Sequence, residues 1–120
     1  IQGPRGVRVL DIRNNSIGSK MKVEQGDILL NINNREVNCR EDLQEILNGF
    51  PTYIWMDVQN IKGDIRTLEY KDYRNGISNL GIILVSKDSD VVFDTKSSVS
   101  ILKNLLIKTL EKYLKHRYKK

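Results

Sequence analysis

The stretch from Gly6 to Leu47, GVRVLDIRNNSIGSKMKVEQGDILLNINNREVNCREDLQEIL, constrains the fold more than any other part of the chain. Its apolar spacing changes from strand-like to helix-like within a short length, and turn residues mark each change. Val7, Val9 and the Leu10/Ile12 pair predict a strand. Asn14-Asn15-Ser16 is turn chemistry, and Ser16 is placed to cap a short helical turn from Ile17 to Met21. Gly26 breaks the chain before a strand from Asp27 to Ile32, whose Ile28-Leu29-Leu30 run is apolar enough for burial on both faces. Asn33-Asn34 predicts a hairpin turn, because asparagine tolerates positive φ. Asn38 is the expected N-cap of a helix from Arg40 to Asn48, with Glu41 and Asp42 in its first turn, where they suit the helix dipole. Leu43, Ile46, Leu47 and Phe50 share one core-facing side, and Gly49 and Pro51 end the helix.

Further along, Tyr53 to Val58 and Ile65 to Tyr70 read as a hairpin across Lys62-Gly63-Asp64. A polar loop, Asp72 to Ser78, leads to a third apolar strand from Asn79 to Val85, and Ser86 to Asp90 is a polar break. Ser97 or Ser98 can cap a long terminal helix. On that helix Val99, Leu102, Leu106, Leu110 and Tyr113 make an apolar stripe, widened by Ile101, Leu105 and Leu114. The stripe predicts packing on the domain or on a partner helix. The 120 residues suffice for one domain with a single core. The expected class is α+β: a small, mostly antiparallel sheet or partial barrel with two helices, followed by a long C-terminal helix. The expected division is 1–95 for the domain and 96–120 for the amphipathic basic helix.

The order of small residue after a turn, short helix, Gly-Asp, strand and Asn-containing turn, carried by Asn15 to Val37, resembles a bacterial PDZ domain. The resemblance covers about two thirds of the chain. The sequence departs from the pattern in having Asn34 where glycine is usual, and Ile17-Gly18 where proline-alanine is common. Ser78-Asn79-Leu80-Gly81-Ile82 looks like the Gly-Leu-Gly-Phe type of carboxylate loop. Only six residues precede Val7, too few for that loop and its strand, so the resemblance is to the circularly permuted PDZ type of membrane-anchored bacterial proteins.

The resemblance implies a binding module and no enzyme. The amides of Leu80, Gly81 and Ile82 would receive a peptide carboxylate, and the strand edge running through Asn79, Leu80, Gly81, Ile82, Ile83 and Leu84 would receive the peptide as an antiparallel strand. Arg40, Gln44 and Leu47 would form the opposing helical wall. The expected partner is a protein or peptide C-terminus, or an extended segment. The expected parent is membrane-anchored, with this domain on the cytoplasmic side and this chain a piece of it. A scaffold of the MinJ kind, which positions division-site partners, is favoured. A membrane protease of the site-2 type, whose PDZ domain senses substrate, is the alternative, and a helix-mediated oligomerisation domain is a second one.

Charge refines the partner classes. From Lys103 to Lys120 seven Lys or Arg residues stand against one Glu, a net of +6, so the rest of the +5 chain nets −1. The basic end suits a solvated helix terminus, and offers attraction to an anionic membrane surface. Nucleic acid is disfavoured, because two tyrosines beside the lysines are no stacking signature. The terminal stripe allows a homo-oligomer. No cofactor or metal is expected, since His116 and Cys39 lie far apart and supply only two ligands. Cys39 leaves no internal disulfide to form. Ser16 and Lys20 are spaced like a Ser-Lys dyad, but the serine is explained as a cap. No apolar run approaches the ~20 residues of a membrane span.

Overall fold

Alternation of period two carries most of the chain into one antiparallel sheet. The computed structural model describes residues 6–86 and 90–118. The elements run β1 (Val7–Ile12), α1 (Ile17–Lys20), β2 (Ile28–Ile32), β3 (Arg35–Glu36), α2 (Arg40–Leu47), β4 (Tyr53–Gln59), β5 (Ile65–Lys71), β6 (Asn79–Ser86), β7 (Val92–Lys96) and α3 (Ser98–Tyr118). The strand order is β5-β4-β2-β1-β6-β7, with β3 paired to β2. The class is α+β, as the sequence predicts.

The register follows from the side chains. On β4, Ile54, Met56 and Val58 are buried and alternate with half-buried Tyr53, Trp55, Asp57 and Gln59. They face the same core as Val7, Val9, Leu29, Ile32, Leu80, Ile82 and Leu84, which Leu43 and Leu47 of α2 close from one side. Asn33 and Asn34 both adopt positive φ, 50° and 64°, which is the backbone that the tight β2–β3 turn requires. Ser16 caps α1, its Oγ accepting from the Ser19 N–H at 3.1 Å. The buried Asp27 carboxylate at the Gly-Asp step accepts from the Glu24 N–H and from Arg66 Nη2 of β5, each at 3.0 Å, and so ties the start of β2 to the far hairpin.

One expectation is corrected, and two points that the sequence left open are decided. Asn38 does not cap α2. The N-cap is Cys39, whose side chain makes no capping bond, while Asn38 Oδ1 accepts from the Gly6 N–H at 3.1 Å and the Asn38 N–H donates to Asp42 Oδ2 at 3.0 Å. The carboxylate inside the first turn, rather than the asparagine before it, ties down the helix start. Second, the residues after the Ser86–Asp90 break form a strand, β7, which pairs with β6; residues 87–89 of that break lie outside the described set. Third, the apolar stripe of α3 does not pack on the domain. Leu102 is 65% exposed and Leu106 62%, and Leu105, Leu110 and Tyr113 are more than half exposed. The helix projects from the sheet, and the molecule extends 66 × 31 × 24 Å. The side chains of Ser100, Ile101, Lys103, Lys115, His116, Arg117 and Tyr118, together with Lys119 and Lys120, lie outside the described residues.

Candidate strand-addition groove

The loop that opens β6 is built around Gly81. Its φ is +70°, a left-handed conformation, and a side chain there would drive into Ser16. Only glycine meets both demands. Gly18 allows an equally close approach from the other side, since a Cβ on it would strike the Ile82 side chain. The Ile17-Gly18 pair therefore seats α1 directly against β6. The Gly81 carbonyl accepts from the Arg13 N–H at 2.9 Å, which fixes the loop to the end of β1.

β6 lies between two strands. One edge pairs with β1, in a register running from Val7↔Ser86 to Ile12↔Ile82. The other faces the cleft toward α2, and β7 fills it. β7 runs antiparallel to β6, with Asn79↔Lys96, Ile83↔Asp94, Leu84↔Phe93 and Val85↔Val92 as partners. Buried positions alternate along it and the residue that follows: Phe93 is 6% exposed, Thr95 and Ser97 0%. Thr95 Oγ1 makes two bonds to Ile82, accepting from its N–H and donating to its carbonyl, each at 2.9 Å.

The α2 wall holds β7 through two amide side chains. Gln44 Nε2 donates to the Lys96 carbonyl and Gln44 Oε1 accepts from the Ser98 N–H, both at 2.7 Å. One turn on, Asn48 Oδ1 accepts from Ser97 Oγ at 2.8 Å, Ser98 Oγ at 3.1 Å and the Val99 N–H at 3.3 Å. Arg40 is exposed and sits at the other end of the cleft, where Cys39, Arg40, Glu41, Ser86, Val91 and Phe93 line an open recess of about 240 Å³. There the Cys39 thiol feels the Asp42 backbone N–H, which lowers its pKa, but burial and the Glu41 and Asp42 carboxylates raise it overall. That environment disfavours a thiolate nucleophile.

The predicted site residues thus fall on two walls of one cleft. Asn79, Leu80, Gly81, Ile82, Ile83 and Leu84 form the strand wall. Gln44 points across to β7, Arg40 stands at the mouth, and Leu47, fully buried, belongs to the core beneath with Leu80 and Ile82. Of the three amides assigned to a carboxylate, that of Gly81 donates to Asn79 Oδ1 at 2.9 Å and that of Ile82 to Thr95. The sequence reading missed Phe93, Thr95, Ser97 and Asn48. The spacing of Asn48 from Gln44, four residues on along the same helical side, is the one signal in the sequence by which it could have been found. Among the described residues no three His, Cys, Asp or Glu side chains gather as a metal site. No described helix is long and apolar enough to cross a membrane.

No protein-family model matches the chain, and no curated protein matches it. Solved structures do. The PDZ domain of an SdrC-like protein from Listeria monocytogenes superposes with a TM-score of 0.57 at 14% identity, covering 71% of this chain and 93% of that one. The PDZ domain of an SdrC-like protein from Listeria innocua gives a TM-score of 0.53 at 13% identity, covering 66% of this chain and 92% of that one. The fold is therefore that of bacterial PDZ domains.

Proposed function

We propose that this chain is a protein-interaction module that takes an extended segment of a partner by strand addition to β6, and that it performs no catalytic step. The observation that carries the reading is the antiparallel seating of β7 between β6 and α2, because it displays a strand held in the cleft by main-chain pairing and by the amides of α2. In this reading Asn79, Leu80, Gly81, Ile82, Ile83 and Leu84 are the receiving edge, Arg40 and Gln44 flank the guest, and Leu47 supports the floor. The permuted order is supported by β6, a late strand, lying beside β1. Residues 1–95 then form the module and 96–120 its helical extension. The parent is a membrane-anchored scaffold that faces the cytoplasm, where a terminal segment of net +6 suits the anionic leaflet.

Amide NMR titration of the chain tests the reading, with one apolar-ended peptide supplied as free acid and as amide. Shifts are expected at residues 79–84 and 40–47, at modest affinity because one short strand offers few anchors. Shifts confined to other surfaces, or none at saturating peptide, would sink it. A second reading, assembly through α3, is favoured by the exposed Leu102, Leu106 and Leu110.

A further inference from the structure

We infer that β7 is a displaceable occupant of the groove. It is exchanged for an internal, extended segment of another protein that carries an aromatic residue, a threonine or serine two positions on, and a serine-like residue two beyond that. The inference rests on the strand-addition reading above, and adds what must leave the groove and what class of segment replaces it.

β7 is attached as a ligand is attached. It sits at the end of the sheet with β6 as its one strand neighbour, while β1, β2 and β4 pair without it and share a continuous apolar interior with β6 and α2. Phe93 is the one large apolar side chain that β7 buries, since Val92 is 55% exposed. Its other inward positions, Thr95 and Ser97, are hydroxyl groups that water can solvate once the strand departs. A guest strand with the same alternation restores the ladder, the aromatic contact and the Thr95-type bonds to Ile82, so the exchange leaves no buried polar group unpaired.

The same contacts specify an internal segment rather than a chain end. β7 does not stop at the Gly81 loop. The Ser97 N–H donates to the Ser78 carbonyl at 2.6 Å, and the chain runs on into α3. The Gly81 and Ile82 amides are bound by Asn79 Oδ1 and a threonine hydroxyl, not by a carboxylate. The tether that favours the resident strand is Asn48, whose single carbonyl oxygen collects three donors from Ser97, Ser98 and Val99. Covalent attachment adds an effective concentration in the millimolar range, on the order of what a short linker supplies.

The test uses the full chain, its Asn48→Ala variant, and a probe peptide of residues 91–97 blocked at both ends. Native-state hydrogen exchange is expected to show β7 amides opening ahead of those of β1, β2 and β4. Asn48→Ala removes the acceptor and is expected to speed β7 exchange about tenfold, and to tighten probe binding at β6 by a smaller factor, because apparent affinity rises with the open fraction while the probe's own Ser97 loses its bond to Asn48. Exchange of β7 as slow as that of β1, or probe binding at β6 while β7 stays protected, overturns displacement and leaves strand addition standing. Faster β7 exchange in the variant with no probe binding in either form overturns strand addition itself. Tighter binding of the same peptide with a free carboxyl end overturns the internal-segment assignment.

Discussion

At the scale of single residues, the start of β6 depends on the meeting of Gly81 and Ser16. Alanine at 81 must hold a left-handed φ and displace the Ser16 side chain, so Gly81→Ala is expected to cost about 2 kcal/mol or more. The two causes separate in a double-mutant cycle. Ser16→Gly removes the obstructing Cβ and, as a cap substitution, costs only a few tenths of a kcal/mol, so the penalty of Gly81→Ala is expected to fall in that background. Urea midpoints of the four forms measure the coupling. Additive penalties would show that Ser16 is not the obstacle.

At the scale of elements, the Asp27–Arg66 pair is the brace between β2 and β5. Asp27 is 2% exposed and Arg66 also donates to the Lys22 carbonyl at 3.0 Å, so one guanidinium holds both the turn before β2 and the residue that leads into the strand. Asp27→Ala leaves the Glu24 N–H without its acceptor and the guanidinium with the Lys22 carbonyl but no countercharge, and is expected to cost about 2 kcal/mol in chemical denaturation. A change under about 0.5 kcal/mol would mean that solvent screens the pair as it does an exposed one. Elements also differ in how openly the sequence declares them. Ile54, Met56 and Val58 declare β4, Ser16 declares α1, and Asn33-Asn34 declares the turn, because each local signal agrees with its tertiary role. β7 is hidden for the opposite reason. Its inward positions after Phe93 are Thr95 and Ser97, so the alternation that marks a buried strand is written in hydroxyl groups. The groove was legible on its strand wall and at Gln44. Its filled state was not, because what fills it is recognised by hydrogen bonds rather than by apolar pattern.

At the scale of the whole molecule, a sheet with polar or braced edges carries a helix that the sheet does not cover. The β5 edge is laced with Arg66, Glu69 and Lys71, which suits an edge that stays unpaired. The apolar side of α3 has no such protection, and the assembly reading predicts concentration-dependent sedimentation of the chain. Leu106→Glu, at a residue 62% exposed and remote from the core, is expected to weaken that association at least tenfold, about 1.4 kcal/mol. Monomeric behaviour of both forms would remove assembly through α3. The direct passage from β7 into α3 has a mechanical side. A load applied along α3 arrives first at the Gln44 and Asn48 bonds, and then at the Asn79↔Lys96 end of the ladder. Main-chain bonds loaded from one end part in sequence instead of all together. Tension on the helix is therefore expected to unzip β7 from its Lys96 end before it loads the rest of the sheet, which would make the extension a ripcord for the cleft.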